Sequence, residues 1–74
     1  MIVFHLRKGE TFIPLIQLLK ITGIAETGAH AQHLVTEGKV LRNGETEYRK
    51  RAKIINGERI EVNGETIEVA EAES

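Results

Sequence analysis

Three Asn-Gly pairs, at 43–44, 56–57 and 63–64, punctuate the second half of this 74-residue chain and constrain its fold more than any other feature. A two-residue hairpin of type I′ needs positive φ at both central positions, and Asn-Gly accepts that conformation at little cost. Around Asn63-Gly64 the flanks alternate as a half-buried ribbon requires. Ile60 and Val62 interleave with Arg59 and Glu61, and Ile67 and Val69 enclose Glu68. Val40 and Ile54 add apolar contacts from earlier strands. The pairs are unequally spaced, so they mark repeated turn chemistry and not a structural repeat.

Upstream of Lys39 the apolar period changes. Ile2, Phe4 and Leu6 share one face of an extended segment that ends at Arg7-Lys8-Gly9, which predicts a short first strand. Phe12, Leu15, Ile16 and Leu19 recur at helical spacing, with Thr11 as the expected cap and Pro14 in the first turn. Thr22-Gly23 ends that helix. A second helix is predicted from the N-cap Thr27 to Gly38, with Ala31, Leu34 and Val35 as its buried stripe and His30, His33 and Glu37 on a more exposed face. The predicted class is α+β: an N-terminal strand and a helix-turn-helix-like pair packed on a small, mainly antiparallel twisted sheet. Residues 1–74 make a single domain, and the small, acidic tail 70–74 is expected to fray.

Composition narrows the chemistry. The chain has no Cys and no Asp, its only Ser is Ser74, and its aromatic residues are Phe4, Phe12 and Tyr48. Disulfides and thiolate zinc sites are excluded, and a hydrolytic triad lacks its parts. His30, His33 and Glu37 fall at helical spacing without a fourth ligand, so two exposed histidines on an amphipathic helix account for them better than a metal. Neither a dinucleotide fingerprint nor a P-loop is present, so no cofactor or small-molecule substrate is expected, and no enzyme activity. No apolar run approaches a membrane span and the start lacks a signal-peptide pattern, which predicts a cytoplasmic, unprocessed protein, monomeric by expectation.

The net charge is −1, yet the charges are segregated. Residues 39–53 hold six basic side chains, Lys39, Arg42, Arg49, Lys50, Arg51 and Lys53, against Glu45 and Glu47, while the rest of the chain has four basic and nine acidic residues. Four cations within Arg49-Lys50-Arg51-Ala52-Lys53 repel one another unless an anion faces them, and phosphate is the obvious counterpart. Arg49 and Arg51 belong to neither apolar face, so reversing both to Glu is expected to leave the fold intact. A protein-interaction or enzyme-accessory module, using the same basic segment against an acidic partner, is the alternative.

The stretch from Gly23 through Thr27, Gly28 and His30 to Val35, followed by Gly38-Lys39-Val40-Leu41-Arg42-Asn43-Gly44, resembles the S4-type RNA-binding domain, named after a ribosomal small-subunit protein. Ile54, Asn56-Gly57-Glu58, Ile60 and Val62 resemble that family's closing turn and strand, so the likeness spans about residues 12–62. With Arg49-Lys50-Arg51-Ala52-Lys53-Ile54 it is most similar to the stand-alone bacterial YbcJ-like branch. The resemblance implies the αL RNA-binding motif and a structured RNA partner of the ribosomal or transfer class, with no attached catalytic domain. Two features depart from the family pattern. Gly28 stands where many members carry Arg after the capping residue, and Phe12-Ile13-Pro14-Leu15 opens the first helix where charged residues are common. RNA contact is therefore expected from Lys39, Arg42, Arg49, Lys50, Arg51 and Lys53, supplemented by the start of the second helix at Thr27, Gly28 and His30. Scarce aromatics favour a grip on backbone and shape over stacking of single-stranded bases.

Overall fold

A computed structural model describes residues 1–72 of the chain. Its elements run β1 (Ile2–His5), β2 (Ile13–Pro14), α1 (Leu15–Ile21), α2 (Gly28–Thr36), β3 (Val40–Arg42), β4 (Glu45–Thr46), β5 (Lys53–Ile54), β6 (Arg59–Val62) and β7 (Glu65–Ala70). Five strands form one sheet in the order β1-β7-β6-β3-β4, and β2 pairs with β5 in a second, two-stranded sheet. All pairings are antiparallel except β1 with β7, which is parallel and sets Ile2 opposite Ile67 and Phe4 opposite Val69. The α+β class holds. The chain reaches that parallel pair by crossing the whole domain, which no local sequence signal announces.

Side-chain alternation makes the core. Val40, Ile60, Val62, Ile67 and Val69 are buried on one face of the large sheet, against Leu15, Leu18 and Leu19 of α1 and Ala31, Leu34 and Val35 of α2. Fully burying an aliphatic side chain contributes about 1.5–3 kcal/mol, and a domain this small depends on each one. No helix among the described residues is long and apolar enough to cross a membrane.

Two of the three Asn-Gly pairs are two-residue hairpin turns. Asn43 and Gly44 have φ of 51° and 87°, Asn63 and Gly64 have 52° and 78°, and the strand registers close on Arg42 with Glu45 and on Val62 with Glu65. The third differs. At Asn56-Gly57 only the glycine has positive φ, the Glu58 amide donates to the Ile55 carbonyl at 3.2 Å, and the turn joins β5 to β6, which do not pair.

The first helix also departs from the sequence reading. Thr11 does not cap it: Ile13 and Pro14 are extended and paired with β5, and Pro14, with ψ of 140°, is itself the N-cap residue. Proline disfavours helical backbone at the residue before it, so the helix cannot begin as early as Phe12. The buried stripe is accordingly Leu15, Leu18 and Leu19, while Ile16 is only half-buried. At the other end Ala70, expected in a frayed tail, pairs with His5 as the last residue of β7, and its carbonyl accepts from the Leu6 amide at 2.9 Å. Glu71 continues the contact, its side chain accepting from Asn56 at 3.1 Å. Residues 73 and 74 of the expected tail lie outside the described residues.

Candidate nucleic-acid interface

The basic segment is a shaped turn. The Ala52 amide donates to the Arg49 carbonyl at 3.2 Å, which puts Lys50 and Arg51 at the two central positions, both exposed. Helix α1 lacks a side-chain cap, and its first amides are satisfied by this turn: Leu15 donates to the Ala52 carbonyl at 2.9 Å and Ile16 to the Lys50 carbonyl at 3.1 Å. The backbone carrying the cations is thereby pinned to the start of α1. Among the described residues Lys50, Arg51 and Lys53 have no ion pair. Lys53 Nζ instead sits 5.0 Å from the centre of the Phe12 ring.

Arg42 behaves differently from its sequence neighbours. Its side chain is only 21% exposed and most of its donors are engaged inside the protein. Nε and Nη2 grip both carboxylate oxygens of Glu58 at 2.7 Å, Nη1 reaches Glu47 Oε1 at 3.1 Å, and Nη2 also donates to the Lys53 carbonyl at 2.8 Å. A bidentate grip of this kind holds β3 to the Asn56-Gly57 turn. Asn43 reinforces it, donating to Glu58 at 3.1 Å and accepting from the Arg59 amide at 2.9 Å. A guanidinium so occupied is a structural clamp, although Arg42 still lines the surface hollow beside Arg49 and Arg51.

Arg49 is a second partner of Glu47. Its Nε, Nη2 and backbone amide all donate to that carboxylate, at 3.2, 3.1 and 3.1 Å. The Glu47 side chain is 11% exposed, whereas that of Arg49 is 74% exposed. The Arg49 hydrogen bonds, helped by Arg42 and opposed by burial, lower the Glu47 pKa from 4.5 to about 2. Glu58 is lowered chiefly by its hydrogen bond from Arg42. Arg49 is thus anchored, and replacing it with Glu would set a carboxylate against buried Glu47. Reversal of Arg49 is therefore expected to disturb the fold, whereas Arg51 is exposed and makes no ion pair among the described residues.

The start of α2 is built as its sequence predicts. Thr27 Oγ1 accepts from the His30 amide at 3.0 Å, and His30 Nδ1 in return accepts from the Glu26 amide at 3.3 Å. His33 pairs with Glu37 at 3.1 Å, and Lys39 lies 3.6 Å from the same carboxylate. Gly28 and Arg51 line one cleft together with Pro14, Ile16, Gln17 and Lys20. Arg51 also borders the neighbouring hollow with Arg42, Arg49, Ala52 and Lys53, so the two depressions meet at that residue.

Lys20 and Gln17 therefore join the candidate site, although sequence reasoning passed over them. Helical spacing could have found them: they are one turn apart on the face of α1 opposite its buried stripe. Tyr48, named above only as one of three aromatics, is exposed and lies over Gly38, where an added Cβ would come within 3.2 Å of its hydroxyl oxygen.

Comparison with known proteins identifies the family. The family model for the S4 domain matches residues 4–70. YbcJ of Escherichia coli strain K12 is 38% identical over 69 residues, covering 93% of this chain and 97% of the relative, and YbcJ of Shigella flexneri matches to the same extent. The solution structure of E. coli YbcJ, described as revealing an αL motif involved in RNA binding, superposes with a TM-score of 0.73 at 36% identity, covering 95% of this chain and 87% of that one. In sequence and in fold alike, the chain belongs to the S4 domain family.

Proposed function

We propose that this chain is a non-catalytic module that binds structured RNA, of the ribosomal or transfer class, through the 49–53 turn and the adjoining start of α2. One observation carries the proposal. Lys50 and Arg51 occupy the centre of a turn whose backbone is bonded to α1, and no described acidic residue pairs with either. Presenting unpaired cations from a rigid backbone loses little conformational entropy on binding and favours an anion of fixed shape, which is what the phosphates of a folded RNA present. The relative whose solved structure is described as having an RNA-binding motif supports the same reading. Lys20 and Lys53 extend the surface on either side of Arg51. Arg49 contributes through its exposed end, while Arg42 contributes by holding the turn in place.

Recognition is of backbone and shape. A stem–loop RNA titrated against an unstructured strand of equal length, at matched salt, tests this. The stem–loop binds more tightly on the present account, and equal affinity for the single strand would overturn shape recognition.

A further inference from the structure

The cleft between α1, α2 and the basic turn has a feature that phosphate binding alone does not require. Its volume is about 400 Å³, and its lining combines apolar Pro14 and Ile16 with Gln17, Lys20, Gly28 and Arg51. Ile16 is only half-buried although it lies on a helix that packs into the core. Lys20 and Arg51, its two cations, have no ion pair among the described residues, and the Gln17 side chain has no hydrogen bond there. An apolar floor between two free cations, with an uncommitted amide beside them, matches an amphiphilic ligand having a flat apolar body and a phosphate.

We infer that this cleft accepts a single unpaired nucleotide of the bound RNA, its base against Pro14 and Ile16 and its phosphate between Lys20 and Arg51. The inference rests on the RNA-binding reading above and specifies what the RNA must offer: a base free of its helical stack, as at a bulge. Gln17 is placed to hydrogen-bond an edge of that base, and Arg51 links the nucleotide to the phosphates that follow it along the 49–53 turn.

Gly28 makes the cleft testable. A Cβ built there meets nothing within 4 Å, and its φ lies outside the left-handed region, so a larger side chain is accommodated by the backbone and enters open space. Gly28→Leu fills the cleft without changing charge. The probe is a hairpin RNA carrying one bulged 2-aminopurine, compared with the same hairpin lacking the bulge.

The wild type should prefer the bulged hairpin by about tenfold, and Gly28→Leu should lose that preference. Because no aromatic side chain lines the cleft, 2-aminopurine emission should rise as the base leaves its stacked neighbours. A folded Gly28→Leu protein that kept both the preference and the rise would overturn the inference. Equal, salt-dependent binding of both hairpins by the wild type would overturn it while leaving RNA binding in place. Failure of the wild type to bind either hairpin would remove the RNA-binding reading as well.

Discussion

Replacing Glu47 with Gln should destabilise the domain at neutral pH and lose that effect in acid. The carboxylate is nearly buried and receives hydrogen bonds from both Arg42 and Arg49, which hold its pKa at about 2 against an ordinary 4.5. Since one pKa unit corresponds to about 1.4 kcal/mol, the displacement sets a ceiling of roughly 3 kcal/mol. Arg49 is largely solvated, so screening reduces the expected contribution to about 2 kcal/mol. The folded-state value lies below the unfolded one. The contribution is therefore complete above the unfolded pKa and disappears as pH falls through the folded one.

Urea unfolding followed by far-ultraviolet circular dichroism suits a chain without tryptophan. Wild type and Glu47→Gln compared at pH 7, 5, 4 and 3 should differ by about 2 kcal/mol at pH 7 and by less than about half of that at pH 3. Glu58 titrates in both proteins, so the difference isolates Glu47. A gap that stays constant from pH 7 to pH 3, or no gap at pH 7, would refute the role given to this ion pair.

Three further outcomes are expected from the same unfolding assay. Leu19→Ala and Leu34→Ala should each cost about 2–5 kcal/mol, because both side chains are buried between the helices and the sheet; unchanged midpoints would mean the helix faces are misassigned. Arg42→Lys should cost about 1–3 kcal/mol despite keeping the charge, since an ammonium cannot span Glu58, Glu47 and the Lys53 carbonyl together, and a neutral result would deny the clamp. Gly38→Ala should lose about 1–2 kcal/mol, because φ is 73° there and Tyr48 crowds the new methyl, whereas Gly28→Ala should be neutral or slightly stabilising; equal effects would contradict both geometries.

Where structure is set by local chemistry, the sequence was legible. The Asn43-Gly44 and Asn63-Gly64 hairpins, the Thr27 cap and the Ala31-Leu34-Val35 stripe each follow from rules acting over a few residues. Asn56-Gly57 shows the limit, because the same pair serves a turn between strands that do not pair, and only the partner of β5 decides that. Pairings across the chain were not legible. β1 meets β7 from opposite ends of the sequence, and Arg42 finds Glu58 sixteen residues away with no period or spacing to connect them.

The candidate site divides along the same line. Charge density at 49–53 pointed to the turn, and capping chemistry pointed to Gly28. Six cations that look equivalent in sequence nevertheless differ in three dimensions. Arg42 is consumed by two carboxylates, Arg49 is anchored by one, Lys39 lies beside Glu37, and Lys50, Arg51 and Lys53 have no ion pair among the described residues. Lys20 joins them only because α1 folds back against the turn.

The central claim is that cations left unpaired by the fold neutralise RNA phosphates. It is tested most directly by the salt dependence of affinity for a stem–loop RNA in the wild type and in Lys50→Gln/Arg51→Gln, which spares both Arg42 and Arg49. With Lys20, Lys50, Arg51 and Lys53 engaged, log affinity should fall against log salt with a slope of roughly −3 to −4, a loss of about a hundredfold between ~50 and ~200 mM. The double variant should keep its circular dichroism spectrum while its slope flattens by about 1.5 to 2 units. A folded double variant with wild-type affinity and slope would contradict the account and reduce the 49–53 turn to a solvated surface.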